Sequence, residues 1–169
     1  MIRKKLLMSL VGFQVLFLIG MVLSGYVIEQ VGDTITLQTK AEPYDYIVFE
    51  DEIVLNFTAE EIRPENWFMS GEPESNQVIH VLLTPSDQGY YQVKAASDKK
   101  MDADKNEVII KARYSYKDYK QNHIVRFGID HYRTDTSKFA INSSHPRFDV
   151  EVALSPWGQS KVLDIEVID

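Results

Sequence analysis

Two hydrophobic patterns divide this chain. From Leu6 to Ile28 no residue is charged and most are apolar, directly behind Arg3, Lys4 and Lys5. As a helix rising 1.5 Å per residue the run would measure roughly 34 Å, enough for a bilayer core of about 30 Å. Beyond Glu29 the continuous run gives way to alternation of apolar and polar residues, the signal of half-buried strands. Ile35 and Leu37 alternate with Thr34, Thr36 and Gln38, while Ile53, Leu55 and Phe57 share one face. Val78 to Leu83 reads as a central strand, and Gly89 turns the chain into Tyr91, Val93 and Ala95. Val108, Ile110, Ala112, Tyr114 and Tyr116 form a long alternating set, followed by Val125, Phe127 and Ile129. Phe148, Val150, Val152 and Leu154 pass through the turn Ser155 to Gln159 into Leu163, Ile165 and Val167, an antiparallel hairpin with one wet face.

These elements predict an all-β fold: an antiparallel β-sandwich or partly open barrel of about eight strands, preceded by one N-terminal transmembrane helix. The absence of crossover-helix patterns argues against a parallel α/β arrangement. One short helix is expected at Thr58-Ala59-Glu60-Glu61, which reads as a capping box, with Pro64 ending it. Residues 70–76 and 97–107 read as loops.

The predicted organisation has three parts. Residues 1–5 form a short basic cytoplasmic end, 6–28 the transmembrane helix, and 29–169 an extracytoplasmic β domain. The orientation follows from the basic residues, which favour keeping their end of a span inside. The expected address is therefore a bacterial cytoplasmic membrane, crossed once, with the amino end inside and the C-terminal domain outside. A cleaved signal peptide is the competing reading. Signals have apolar cores of only about 7–15 residues and a small-x-small cleavage site, and Leu23-Ser24-Gly25-Tyr26 matches that poorly.

Charge and cysteine content narrow the partners. All 25 acidic residues follow the span and three of the 18 basic ones precede it. The domain thus holds 15 basic residues against 25 acidic, a formal charge of −10. Such a balance opposes nucleic acid as a partner. There is no cysteine, which excludes a disulfide-linked partner, thiolate zinc sites and thiol redox chemistry. The expected partners are the lipid bilayer, through residues 6–28, and another membrane protein.

Several segments together resemble the GDYXXLXY proteins, a bacterial family. Thr34-Ile35-Thr36-Leu37-Gln38-Thr39 matches the family's Thr-Ile-x-Leu-x-Thr strand and precedes Pro43 and Asp45. The name motif falls on Glu50-Asp51-Glu52-Ile53-Val54-Leu55-Asn56-Phe57: Asp51 and Leu55 match, Phe57 stands for the last Tyr, and glutamates replace the Gly and the first Tyr. Phe127-Gly128-Ile129-Asp130-His131-Tyr132 resembles the family's Gly-Ile-Glu-x-Tyr strand. The resemblance implies a membrane-associated β domain, in some bacteria linked to multi-spanning membrane proteins. It brings no biochemical activity with it.

No catalytic residue, metal ligand or cofactor is assigned. In Asp130-His131-Tyr132, adjacent residues on a strand point to opposite faces, so Asp130 and Tyr132 share a side that His131 does not. His80, His123, His131 and His145 lack metal-ligand spacing. Asp102-Ala103-Asp104-Lys105-Asn106 opens like a calcium loop, but Glu107 and Arg113 occupy positions that an EF-hand gives to Gly and Glu. The residues that point to a partner or cation surface are the acidic run Glu50, Asp51 and Glu52, the aromatic pair Trp67 and Phe68, and Asp130 with Tyr132. The function expected is a noncatalytic interaction or accessory module beside a polytopic membrane protein. The alternative is a membrane-anchored hydrolase or peptidase whose site has no recognisable signature.

Overall fold

The computed structural model describes residue 8 and residues 10–21, 32–139 and 141–168. The chain is mostly β, and every sheet in it is antiparallel. Among the described residues there are ten strands: β1 (Asp33–Gln38), β2 (Glu52–Val54), β3 (Glu61–Ile62), β4 (Val78–Pro85), β5 (Tyr91–Ser97), β6 (Val108–Lys117), β7 (His123–Arg126), β8 (His131–Arg133), β9 (Arg147–Leu154) and β10 (Ser160–Ile168). They form a five-stranded sheet ordered β3-β7-β6-β4-β5, a three-stranded sheet ordered β1-β9-β10, and a two-stranded sheet of β2 and β8. The count exceeds the expected eight by β3 and β8, only two and three residues long.

All three sheets bury their apolar faces in one core. Ile35 and Leu37 of β1, Phe148, Val150 and Val152 of β9, and Ile165 of β10 meet Ile79, Val81 and Leu83 of β4 and Ile110 and Ala112 of β6 in the same cluster. Ile53 of β2, with Leu55 and Phe57 just beyond it, enters that cluster from the small sheet. The Phe57 and Phe127 rings lie 6.0 Å apart, tilted by 44°. Alternation is the cause: with a side-chain period of two, each strand offers one apolar row to the interior.

Three register shifts break the expected alternation; in the β4–β5 pair Lys94 is the extra residue, and Ala96 rather than Ala95 is fully buried. Tyr114 pairs with Val125 but Tyr116 pairs with Ile124, so Ser115 is an extra residue in β6. The extra residue resets the pleat, which leaves Tyr114 buried and Tyr116 55% exposed. In β10 the register slips between Val162 and Asp164, so Leu163 has no partner. Val162, rather than Leu163, then packs against the core beside Ile165.

The short helix is also corrected. Thr58–Glu60 is a single 3₁₀ turn, and the carboxylate that caps it is Glu60 rather than Glu61, accepting from the Phe57 N–H at 3.4 Å. A β strand follows at Glu61–Ile62 in place of further helix.

Residues 10–21 are helical. Among the described residues no helix is long and apolar enough to cross a membrane. Residues 6, 7, 9 and 22–28 of the expected span lie outside the described residues.

Phe148 is fully buried on β9, the middle strand of its sheet. Phe148→Ala is expected to destabilise the fold by about 3–5 kcal/mol through lost burial and a residual cavity. Urea unfolding of the full chain measures this, and a loss under about 1 kcal/mol, the range of a surface change, would contradict the shared core.

Candidate functional site

The two motif segments, far apart in the chain, are strand partners. Ile53 faces Tyr132, Glu52 faces Arg133 and Val54 faces His131 across β2 and β8. The Leu55 N–H extends the ladder by donating to the Asp130 carbonyl at 2.7 Å. Inward-pointing Ile53, Leu55 and Phe57 are fully buried, so the motif's apolar positions anchor the small sheet to the core.

Glu50 and Asp51 form the tip of a tight reversal. The Phe49 N–H donates to the Glu52 carbonyl at 2.8 Å, and Val48 bridges Ile53. Thr136 Oγ1 donates to the carbonyls of Phe49 and Glu50, and the Thr134 N–H donates to that of Asp51. Glu50 stands where the family's motif has Gly, yet the left-handed non-glycine residues of the described chain are Asn76 and Gln121. The turn is therefore closed without the conformation that would demand glycine. Glu50 and Asp51 are exposed, and water screens their mutual repulsion. Glu52 pairs with His131 Nδ1 at 3.2 Å.

Aromatic side chains flank this acidic tip. A one-turn helix, Tyr44–Ile47, precedes it. Ile47 and Val48 point into the core, while Tyr44, Tyr46 and Phe49 are left exposed, Tyr46 by 73%. Pairing fixes the backbone here, since the Val48 N–H donates to the Tyr44 carbonyl and the Tyr44 N–H to that of Ser144. The result is a group of exposed aromatic and acidic side chains on a backbone held by these hydrogen bonds. Tyr44, Tyr46 and Phe49 were not singled out from sequence. Their segment lacks a clear alternation; Tyr44 and Tyr46 lie on the one-turn helix and Phe49 in the reversal that follows it.

Trp67 and Phe68 stand elsewhere. Trp67 bridges Ala96 of β5 in parallel and stacks flat on His123, with centroids 4.0 Å apart and 1° between planes. Phe68 points away and is 62% exposed. Burial and nearby Lys117 hold the His123 pKa below its ordinary value, so this ring packs as a neutral plane near pH 7. Tyr132 packs against the core. Asp130 Oδ1 is buried with no hydrogen-bond partner among the described residues.

Behind the motif strand lies a polar network centred on Glu60, a residue missed as a site because it reads as an exposed position in the first turn of a helix. Only 2% of Glu60 is exposed. Its carboxylate accepts from the Phe127 N–H at 2.8 Å and from Arg126 Nη1 at 3.3 Å. The same guanidinium nitrogen donates to Asn56 Oδ1 at 2.9 Å, and Asn56 Nδ2 donates to Glu42 Oε2 at 2.9 Å. Burial pushes the Glu60 pKa up to about 7. The Phe127 amide and the Arg126 charge oppose that rise, Asp130 adds to it, and the Phe57 amide opposes it least. Desolvation wins because nearly the whole carboxyl is withdrawn from water while Arg126 stays partly solvated.

Among the described residues no group of three or more His, Asp or Glu side chains could hold a metal ion. The loop at Asp102–Asn106 lies beside Lys94, whose Nζ pairs with Asp104 and Glu107.

The fold and the paired motif segments define a class: small antiparallel β domains in which a short motif strand is clamped to a distant strand at one side of the core. The family model of the GDYXXLXY proteins matches residues 14–164, and the chain belongs to that family. No curated protein and no solved structure matches it.

The Glu60 carboxyl makes stability depend on pH. Its folded pKa of about 7 lies above the ordinary 4.5. The stability it contributes is complete below the unfolded value and is lost as pH rises through the folded one. Glu60→Gln keeps an acceptor for the Phe127 N–H and abolishes the titration. The stability difference between native chain and variant should shift in the variant's favour between about pH 4.5 and 8, by ~2–3 kcal/mol at 1.4 kcal/mol per unit. Urea unfolding at both pH values reads it, and a difference that does not move with pH would show that Glu60 is solvated.

Proposed function

We propose that this chain is a membrane-anchored, extracytoplasmic β domain that acts as a noncatalytic interaction module beside another membrane protein. The observation that carries the reading is the N-terminal helix. Its described apolar side chains, from Leu10 and Val11 through Phe13, Leu16, Phe17 and Ile19 to Met21, are all at least 49% exposed. At 100° per residue these positions encircle the helix. A helix that is apolar all round needs an apolar environment on every side, which a bilayer supplies and a folded domain's surface does not. The uncharged run extends in sequence on both sides of the described helix, from Leu6 to Ile28, with three basic residues before it. Basic residues before such a run favour an inside amino end, which supports an outside β domain.

The partner surface is the face formed by Tyr44, Tyr46, Phe49 and the acidic tip Glu50–Asp51. Rigid exposed aromatics supply contact area at low entropic cost. The carboxylates beside them favour a partner with a basic rim. The face sits in the family's motif region, and the family's association with multi-spanning membrane proteins supports the same assignment.

Anchoring and orientation are tested with the full-length chain. It should remain in the membrane pellet after alkaline washing, and a cysteine at the exposed loop position Lys105 should react with an impermeant maleimide in intact cells. Release by the wash removes the anchor, and labelling only after lysis reverses the topology.

Partner binding is tested by a photo-crosslinking amino acid at Tyr46 in native membranes, followed by mass spectrometry. A membrane protein crosslinked from position 46, and not from exposed Tyr119, is the expected result. Identical products from both positions would remove the assignment of this face.

A further inference from the structure

On the outer face of the five-stranded sheet one arginine stands opposite another. Outward positions on β6 are Lys111, Arg113 and Ser115, alternating with buried Ala112 and Tyr114. Arg113 lies directly across from Arg126 of β7, and Lys111 directly across from His80 of β4. Like charges at opposed positions of an antiparallel pair destabilise a sheet. Here they stand in a chain whose net charge is −7, where carboxylates are the commoner neighbours.

A cleft of about 390 Å³ opens over these residues, lined by Lys111, Arg113, Arg126, Ser75, Asn76 and Ser115 together with parts of β6, the Phe127–Gly128 backbone and Gly158, and no carboxylate lines it. Its walls are built. On one side the segment at Asn76 runs along β6, its N–H donating to the Tyr114 carbonyl, and Arg113 Nη1 donates back to the Asn76 carbonyl at 3.1 Å. On the other side the β9–β10 turn folds over the sheet, and Lys111 Nζ donates to the Trp157 carbonyl at 3.0 Å. Gly158 suits that turn because its φ of +87° is a conformation that side-chain-bearing residues rarely adopt. Neutral carbonyls thus hold the two β6 cations in place without neutralising them. A neighbouring recess continues the basic lining with His80 and Lys100, and buried His80 Nδ1 has no hydrogen-bond partner among the described residues.

We propose that this cleft binds a phosphate group, with Lys111, Arg113 and Arg126 as its cationic contacts. Arg113 keeps the N–H groups that Asn76 does not use, and Arg126, whose Nη1 bonds Glu60 and Asn56, keeps those on Nε and Nη2, so each guanidinium has donors left for an anion's oxygens. A carboxylate has only two oxygens and satisfies one guanidinium, whereas a phosphate dianion offers enough acceptors for both and a lysine. The cleft volume leaves room for substituents on a phosphate ester. Free phosphate and an anionic lipid headgroup present the same chemistry, so the source is decided by experiment. The proposal does not depend on the interaction face at Tyr46.

The test uses the ¹⁵N-labelled full-length chain in zwitterionic nanodiscs, titrated with inorganic phosphate against chloride at equal ionic strength. Saturable shifts of the Lys111, Arg113, Gly128 and Gly158 amides with phosphate alone, at a Kd near or below about 1 mM, support a site for soluble phosphate. The same amides shifting in phosphatidylglycerol nanodiscs without soluble phosphate support the site and identify the headgroup as its source. Arg113→Gln should weaken either response about tenfold, the worth of one charge-assisted contact. Lys111→Gln provides the same reading should the first variant fold poorly. Absence of saturable shifts in both settings, or equal binding by folded variants, overturns the proposal.

Discussion

One buried carboxylate ties together the parts of this fold that are least able to hold themselves. Glu60 accepts from the Phe127 N–H at the end of β7 and from the Phe57 N–H at the end of the motif strand. It also meets the Arg126 guanidinium, which reaches Asn56 of the motif. These amides flank short elements: β2 and β8 have three residues each and β3 has two. Strands of that length have too few ladder bonds to fix their own positions. Withdrawn from water, each amide would be costly if left without an acceptor. The carboxyl supplies two acceptor oxygens where the backbone cannot close its own ladder.

The cost of this arrangement is a carboxyl that resists ionisation near neutrality. Protonated, it is an acceptor with one donor hydrogen. Ionised, it is a stronger acceptor but a poorly solvated charge. Asp130, whose carbonyl receives the Leu55 N–H and whose charge acts on Glu60, links that balance to the β2–β8 pairing. The motif region is thus held by a titratable group at its back and presents aromatic and acidic side chains at its front.

Much of the sheet was legible because alternation is a local property. Ile35 with Leu37, and Phe148 with Val150 and Val152, show in sequence the rows that they bury in the fold. What was hidden depends on distant partners. The pairing of Ile53 with Tyr132 joins segments far apart in the chain, and no local pattern tells a short strand which distant one it will meet. The bulges at Ser115 and Leu163 reverse the faces of the residues around them without any composition cue. Glu60 was hidden for a third reason: Thr58-Ala59-Glu60-Glu61 satisfies a local rule for an exposed helix start, while the burial that redirects it comes from β7, more than sixty positions away. The cations of the cleft were hidden similarly. Their alternation on β6 was visible, but Arg126 joins them only through the register of β7.

Arg126 belongs to both regions, and that has a thermodynamic consequence. Its guanidinium bonds Glu60 and Asn56, and the residue is also part of the lining of the cation-rich cleft. It is one of the groups opposing the rise of the Glu60 pKa. An anion in the cleft that drew the guanidinium toward itself would weaken its hold on the Glu60 carboxylate and favour the protonated carboxyl. By linkage the converse must hold with the same free energy: deprotonating Glu60 would pull Arg126 inward and weaken the anion. Even partial sharing of this one side chain therefore couples the back of the motif to the outer face of the sheet. The coupling requires no movement of the core, because the segments carrying Asn56, Glu60 and Arg126 are fixed by their neighbours Leu55, Phe57 and Val125, all fully buried.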